Sequence, residues 1–144
     1  IDDHIDLLPD NPLRGGNDAS FGPRFPDMSQ PYEKQMVQQG LEIAAKLNFK
    51  AHKVVYVSTP GPNLETRAEY RYMRIIGGDI VGMSTVPEVI VANHMGLPVF
   101  AISVITDEGF HENLQPVSLQ EIVDVAAKAE PKMTAIMKEL IALQ

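Results

Sequence analysis

The sequence contains no cysteine among its 144 residues. Without cysteine, neither a disulfide framework nor a thiolate zinc site can form, and such a composition suits a cytoplasmic protein. No apolar run approaches the roughly 20 residues that a membrane-spanning helix needs. We therefore predict a cytoplasmic location and no membrane partner.

Positive charge is also scarce. The 12 lysines and arginines are outnumbered by 19 acidic residues, which gives a net charge of -7. A surface of this sign repels the phosphate backbone of nucleic acids, so we expect no polynucleotide partner. Local groups dominate in small sites, and the net charge is therefore compatible with a nucleoside or a phosphate ion.

Several sequence motifs of common sites are missing as well. The chain has no Gly-x-Gly-x-x-Gly fingerprint, no P-loop and no nucleophile elbow. The histidines show no metal-ligand spacing; they are His4, His52, His94 and His111. We predict no metal and no cofactor.

The composition, at 44% hydrophobic and 22% charged residues, is that of a globular protein. A length of 144 residues fits one domain. The opening Ile1-Asp2-Asp3 lacks an initiator methionine, so we expect residues 1–144 to be one portion of a longer single domain.

Residues 1–31 are rich in proline and glycine, and within them only residues 5–8 are predicted as a short strand. A long loop-rich segment in a compact domain is usually functional or interfacial. Residues 1–31 are thus predicted to be either an interface segment or a flexible tail.

Residues 32–144 alternate between helical and strand patterns. Helices are predicted over residues 32–47, 68–76, 85–95 and 118–140, and strands over residues 54–58, 80–83 and 99–105. Ser29 is the expected cap of the first helix, and residues 85–88 and 118–121 fit capping boxes. Pro131 is expected to kink or divide the last helix. This order predicts an α/β fold with a mostly parallel or mixed central sheet flanked by helices.

Ligands of open parallel sheets bind beyond the carboxyl ends of the strands. In this sequence those ends lead into residues 59–65, 83–85 and 106–107, which supply two carboxylates, a thioether and several hydroxyls. Ser84 also lies at a predicted helix start, where an anion is favoured. For four of these residues a purely structural interpretation remains open as the alternative to a functional one. In that interpretation Glu65 is an acidic residue in the first turn of a helix, Met83 fills the core, Thr85 caps a helix and Asp107 starts a turn.

Segments 61–69 (GPNLETRAE) and 81–92 (VGMSTVPEVIVA) carry a family resemblance, supported by residues 3–5, 11–15 and 24–29. Together they resemble the carboxyl-terminal half of the trimeric purine nucleoside phosphorylases, and the related methylthioadenosine phosphorylases share parts of the pattern. The resemblance implies a nucleoside phosphorylase fold, a homotrimer and a role in purine salvage.

The resemblance also implies the roles of individual residues. Glu65 and Asp107 are the expected catalytic residues, with Glu65 holding the N1 edge of a 6-oxopurine. The expected purine-binding residues are Leu64, Glu65, Val81, Gly82, Thr106 and Asp107. Met83 is expected to pack on the ribose, Ser84 to bind phosphate, and Phe25 to reach the ribose of a neighbouring subunit.

The implied activity is reversible phosphorolysis of purine ribonucleosides and deoxyribonucleosides, with inorganic phosphate as co-substrate and 6-oxopurines preferred. Two positions depart from the family pattern. Asp107 replaces an asparagine, which favours more tolerance of adenosine, and Leu119 stands where a histidine usually meets the 5′-hydroxyl. The family's upstream phosphate-binding groups have no counterpart here, so activity is expected to require an upstream half. The alternatives are a methylthioadenosine phosphorylase and a non-catalytic purine-binding or assembly fragment.

Overall fold

The computed structural model describes residues 1–109 and 116–144, so His111 lies outside the described part. Helices and strands alternate along it, in the order β1 (Asp3–Asp6), α1 (Lys34–Lys46), β2 (Val55–Ser58), α2 (Arg67–Ile75), β3 (Ile80–Gly82), α3 (Val86–His94) and α4 (Leu119–Ile141). The three strands form one parallel sheet in the order β1-β2-β3. The predicted α/β class with a parallel sheet is confirmed.

The central strand β2 sets the position of the site. Its Val-Tyr-Val core is β-branched and aromatic, which suits a buried strand, and Val57 is fully buried. Ser58 pairs with Asp6 on one side and with Gly82 on the other. The chain therefore leaves all three strands at the same edge of the sheet, where the sequence placed the functional residues.

Two apolar clusters hold the helices on the sheet. The larger one joins β2 to α1 and α3, and its buried members are Ile1, Tyr32, Val37, Tyr56, Val86, Val89 and Ile90. The smaller one packs α1 against α4 through Ile43, Ala44, Ile136 and Leu140. Burial of each large apolar side chain contributes about 1.5–3 kcal/mol. The clusters fix the frame from which the strand-end loops project.

Gly40 lets a side chain approach the middle of α1. A Cβ at this position would lie 2.8 Å from ring atoms of Phe100. A glycine inside a helix costs about 0.5–1 kcal/mol relative to alanine. Here the missing side chain allows the Phe100 ring, which contacts both clusters, to lie directly on the helix.

Two strand predictions need correction. The first strand spans Asp3–Asp6 rather than residues 5–8, because its register with β2 starts at Asp3 opposite Val55. No strand is found over residues 99–105, all of which are described. The Val99 carbonyl accepts from the Glu33 amide at 2.8 Å, and the Ala101 carbonyl accepts from the Ile1 amino group at 2.9 Å. These acceptors are bonded to isolated groups and not to a neighbouring strand.

Two helix starts also differ from expectation. Glu33 caps α1 through its carboxylate, and Ser29 does not, because the Ser29 amide and hydroxyl both donate to Asp27. Thr85 precedes α3 but forms no capping box, since its φ of 74° turns the backbone away from the usual cap conformation. The predicted capping box at Ser118 is present, with Glu121 as the reciprocal partner.

The last helix is not divided at Pro131, and the apolar residues of α2 face outward. Helix α4 is continuous through Pro131 and is not divided there, although proline lacks the amide that would complete the helical ladder. The apolar pattern that predicted α2 lies on its exposed side, where Tyr72, Ile75 and Ile76 face solvent. The buried residue of α2 is Met73.

Within the described ranges, no helix is both long enough and apolar enough to cross a membrane.

Candidate functional site

Glu65 lies between β2 and α2, and a hydroxyl at the end of β2 holds its side chain. The Thr59 hydroxyl donates to Glu65 Oε1 at 2.8 Å. Directly after Glu65, Thr66 begins α2 in a capping box, with the Thr66 amide donating to Glu69 Oε2 at 2.7 Å. This hydrogen bond and that of the Thr66 hydroxyl lower the pKa of Glu69. Glu65 is therefore a half-buried carboxylate that lies between two hydrogen-bonded residues, Thr59 and Thr66. It is less exposed than an acidic residue that only extends into solvent from the first turn of a helix.

The segment after β3 contains a strained turn. Thr85 has φ 74° and ψ -54°, and the Val86 amide donates to the Ser84 carbonyl at 2.8 Å. These are the angles and the hydrogen bond of a classic γ-turn, which is rare and costly for a β-branched residue. The Ser84 hydroxyl lies 3.1 Å from the Thr85 hydroxyl. The turn thus presents two adjacent hydroxyls at the start of α3.

Tyr56 supports this turn from the central strand. The Ser84 amide donates to the Tyr56 hydroxyl at 3.3 Å, and the two hydroxyls lie 3.4 Å apart. A Cβ on Gly82 would come within 2.2 Å of the Tyr56 hydroxyl, so only glycine fits between them. The position of Ser84 is set by a buried tyrosine and by an obligatory glycine.

Met83 packs on the loop that follows β2. A Cβ on Gly61 would lie 2.3 Å from Met83 Sδ, and the φ of Gly61 is +58°. Glycine is required at this position both for the backbone conformation and for the close approach of the thioether. Met83 remains exposed on its other side, where a ligand could pack against it.

Thr106 and Asp107 are both half-buried, and the Thr106 hydroxyl donates to Asp107 Oδ1 at 2.8 Å. The carboxylate is therefore oriented by its neighbour in the chain. This orientation holds even though residues 99–105 do not form the predicted strand.

A cavity of about 490 Å³ is lined by α2, by the whole length of β3 and by residues 103–109. It includes Glu65 in the loop after β2 and Met83 after β3, and we call it the strand-end cavity. This volume is within the range of small-molecule sites. Of the residues predicted for the site, it brings together Leu64, Glu65, Val81, Gly82, Met83, Thr106 and Asp107. Ser84 does not line it but follows Met83 directly.

Phe25 lies elsewhere, in a second cavity of about 370 Å³ that also includes His4, Arg14 and Arg24. Its side chain is 86% exposed, and the Arg24 guanidinium carbon lies 5.8 Å from the centre of its ring. Arg24 is itself anchored by donating to the carbonyls of Leu13 and Gly15. Within the described chain Phe25 does not reach the strand-end cavity. Leu119, at the start of α4, is 77% exposed and does not line it either.

Sequence reasoning missed Tyr70, which also lines the strand-end cavity. Burial is the main cause that raises the pKa of Tyr70 to about 12, followed by the charges of Glu65 and Asp107 and a hydrogen bond with Glu65. Its position three residues before the buried Met73, on the same face of α2, is the signal that could have identified it. The site thus contains one neutral phenol between two carboxylates.

The histidines do not form a metal centre in the described ranges, where no three residues of metal-ligating type converge. His94 is buried, and its Nε2 lies 3.1 Å from Asn17 Oδ1. His4 Nδ1 lies 3.1 Å from the Tyr32 hydroxyl, and burial lowers the pKa of His4. Both side chains therefore have polar partners, Asn17 for His94 and Tyr32 for His4.

A mostly apolar cavity beside parallel strands, lined by the carboxylates of Glu65 and Asp107, has the composition of a small-molecule site. The family profile described as the Phosphorylase superfamily matches residues 1–142. The chain belongs to this superfamily.

Similar curated proteins match this chain over nearly its whole length. Purine nucleoside phosphorylase 1 of Bacillus subtilis is 45% identical over 142 residues, which are 99% of this chain and 52% of that protein. Purine nucleoside phosphorylase of Mus musculus is 43% identical and is matched over 99% of this chain and 53% of its own length. The chain therefore spans about half the length of these curated relatives.

Solved structures agree with this assignment. Isoform 2 of purine nucleoside phosphorylase from Schistosoma mansoni, in complex with cytosine and ribose-1-phosphate, superposes with a TM-score of 0.92 at 37% identity. The match covers 97% of this chain and 52% of that one. Purine nucleoside phosphorylase of the same organism in complex with inosine gives a TM-score of 0.92 at 34% identity. The fold of the described chain is thus that of one half of a nucleoside phosphorylase.

Proposed function

We propose that the protein, in its full natural length, catalyses the reversible phosphorolysis of purine ribonucleosides and deoxyribonucleosides to the free base and ribose or deoxyribose 1-phosphate. The observation that carries the proposal is the strand-end cavity, where a hydroxyl-anchored Glu65 faces the same space as Asp107. The named relatives are purine nucleoside phosphorylases, which agrees with a site of this composition. Inorganic phosphate is the co-substrate, and the reaction as proposed takes no cofactor and no metal.

The base would bind among Leu64, Val81 and Gly82, with its N1 edge at Glu65. A 6-oxopurine carries a proton on N1, and an ionised carboxylate can only accept hydrogen bonds. Neutral adenine has no N1 proton, so Glu65 favours inosine and guanosine. As the glycosidic bond breaks, negative charge develops on the leaving base at N7 and O6. Thr106 and Asp107 are proposed to lie on the N7 side.

The sugar and phosphate would lie on the opposite side of the cavity. Met83, held against Gly61, offers an apolar surface to the ribose. Ser84 would bind phosphate through its hydroxyl at the start of α3, where the helix dipole favours an anion. One hydroxyl does not neutralise a phosphate, so activity is proposed to depend on groups outside these 144 residues. Glu65 and Asp107 are the proposed catalytic residues within the chain.

We further propose that residues 1–31 form an interface segment of a homotrimer and that Phe25 completes the ribose site of a neighbouring subunit. Phe25 is exposed, yet the loop that carries it is held by Arg24 through two carbonyls. A fixed, exposed aromatic is typical of an interface residue. A role in purine salvage and a cytoplasmic location stay predictions, the latter open to test by cell fractionation.

The activity is tested with full-length protein, inosine and phosphate, by following release of hypoxanthine. Glu65→Gln is expected to lower kcat/KM for inosine by about tenfold to hundredfold, the loss for one charge-assisted hydrogen bond. Glu42→Gln is the matched control, because Glu42 is exposed on α1 and its contact with Gln38 can be kept by an amide oxygen. No hypoxanthine from the wild-type protein would overturn the activity. Equal rates for Glu65→Gln and wild type would overturn the role of Glu65.

A second candidate, methylthioadenosine phosphorylase activity, is favoured by Asp107, which could accept from the 6-amino group of adenine. Leu119 is apolar where the family pattern has a partner of the 5′-hydroxyl, but it does not line the strand-end cavity. Glu65 opposes this assignment, because adenine offers it no N1 proton. Methylthioadenosine and inosine compared at equal concentration decide between the two activities, and we expect inosine to be the better substrate.

A further inference from the structure

Tyr70 lines the strand-end cavity from α2, on the side of Glu65. Its ring packs against the backbone at Gly109, where a Cβ would lie 2.4 Å from Tyr70 Cε1. The ring is therefore held between α2 and the segment that follows Asp107. Its hydroxyl can rotate about the C–O bond, although the ring that carries it is fixed.

The phenol remains protonated at neutral pH, because burial and the two neighbouring carboxylates raise the pKa of Tyr70 to about 12. It can therefore donate one hydrogen bond where Glu65 and Asp107 can only accept. Two other polar side chains of the cavity lining already have partners. The Thr106 hydroxyl donates to Asp107, and Arg74 pairs with Asp79.

The edge of a 6-oxopurine carries a donor, N1–H, directly beside an acceptor, O6. The wall of the strand-end cavity carries the complementary pair, an acceptor at Glu65 beside a donor at Tyr70. Before the base binds, the phenol is close enough to Glu65 for the charge of that carboxylate to help raise the pKa of Tyr70. Once N1–H approaches Glu65, the carboxylate gains a new donor and the phenol proton can turn to O6. No buried group loses its partner in this exchange.

We propose that Tyr70 is a specificity-determining residue that donates to O6 of a 6-oxopurine and so selects it over a 6-aminopurine. The inference rests on the proposed function of the strand-end cavity as a purine site. It assigns to Tyr70 the donor that Asp107 cannot supply while ionised. A 6-aminopurine would gain nothing from this donor at its amino group, for which Asp107 is the available acceptor.

The test is the affinity of full-length protein for hypoxanthine and for adenine, measured by isothermal titration calorimetry. Tyr70→Phe keeps the ring against Gly109 and removes the hydroxyl. It is expected to weaken hypoxanthine binding by about tenfold, the loss of one buried hydrogen bond, and adenine binding by less than about threefold. Tyr72→Phe is the control, because it makes the same change on the exposed side of α2 and is expected to alter neither affinity.

Equal weakening of both bases would overturn the inference, since Tyr70 would then act only by orienting Glu65. No weakening of hypoxanthine binding, or no binding of hypoxanthine to the wild type, would also overturn it. Phosphorolysis of inosine by the same preparation reports on the proposed function separately. An active wild type with an unchanged affinity ratio in Tyr70→Phe rejects the inference alone. If the wild type binds hypoxanthine selectively through Tyr70 but produces no hypoxanthine from inosine, only the proposed activity is rejected.

Discussion

Replacement of Asp107 by asparagine isolates the chemistry of one position without changing its shape. The Thr106 hydroxyl donates to Asp107 Oδ1 at 2.8 Å, and an asparagine oxygen can accept the same bond. The other carboxylate oxygen would become an amide nitrogen with two protons. A group that can only accept is thus exchanged for one that also donates, within the same half-buried position.

The size of the effect follows from what the base presents to this residue. In the proposed reaction N7 becomes negative as the base departs, and a carboxyl group at position 107 can donate to it only with a proton, whereas an asparagine amide always carries donors. An amide donor at that point is worth about 1.5–3 kcal/mol when its acceptor carries charge. That range corresponds to about tenfold to hundredfold in rate. Adenosine would gain the same donor but lose the carboxylate that could accept from its amino group.

We therefore expect Asp107→Asn to shift the ratio of kcat/KM for inosine over that for adenosine toward inosine by at least about tenfold. The assay is initial-rate kinetics with full-length wild type and variant at saturating phosphate, with both nucleosides measured on one preparation. Asp124→Asn serves as control, because Asp124 is exposed on α4 and contacts Gln120 outside the cavity. An unchanged ratio, or a shift toward adenosine, would show that Asp107 does not discriminate bases by its charge.

Three further outcomes are expected. Impaired Phe25→Ala and Glu65→Gln proteins, mixed and reassociated, should show more inosine phosphorolysis than either variant alone, since a mixed trimer can combine an intact Phe25 with an intact Glu65; mixtures no more active than the two variants measured separately contradict the shared site. Thr85→Gly should raise the free energy of unfolding by about 1 kcal/mol by relieving the γ-turn and should raise KM for phosphate; denaturant unfolding and kinetics measure both, and a destabilised variant refutes the strain. Ser58→Ala should be neutral or stabilise by up to about 1 kcal/mol, because the buried Ser58 hydroxyl has no hydrogen-bond partner among the described residues; a clear loss in denaturant unfolding would reveal a partner.

The positions of Glu65 and Met83 at the same edge could be predicted because they depend on local signals, whereas Asp107 lines the cavity without the strand over residues 99–105 from which its position was predicted. A short β-branched run ends at Ser58, a proline- and glycine-rich loop follows, and the next strand ends at Gly82. Once the strands are parallel, the rule of carboxyl-end sites brings the following residues together. The expected roles of these residues came from the family resemblance, because hydrophobic periodicity carries no information about chemistry.

Other features depend on partners far away in the sequence and could not be predicted locally. The carbonyls of Val99 and Ala101 accept from Glu33 and Ile1, so a strand-like pattern produces no strand. The γ-turn at Thr85 overrides a sequence that fits a capping box.

Helix α2 shows why Tyr70 was missed. Its exposed side carries Tyr72, Ile75 and Ile76, whereas its inner side has the single buried residue Met73. Apolar periodicity therefore points to the wrong face. Which face of a short helix is buried depends on tertiary packing, so it cannot be predicted from the helix sequence alone.

The parallel pairing of the three strands also has a kinetic consequence. Asp3 pairs with Val55, so the first ladder closes only after the loop-rich segment and α1 have been brought between the two strands. The second ladder, from Tyr56 to Ile80, again encloses a whole helix. Contacts between distant segments lose loop-closure entropy before any hydrogen bond compensates for it, and they slow folding. We expect α1 and α4 to form early and the edge that carries Glu65 and Ser84 to form last, so that the rate of sheet closure determines when a newly made chain first presents the strand-end cavity.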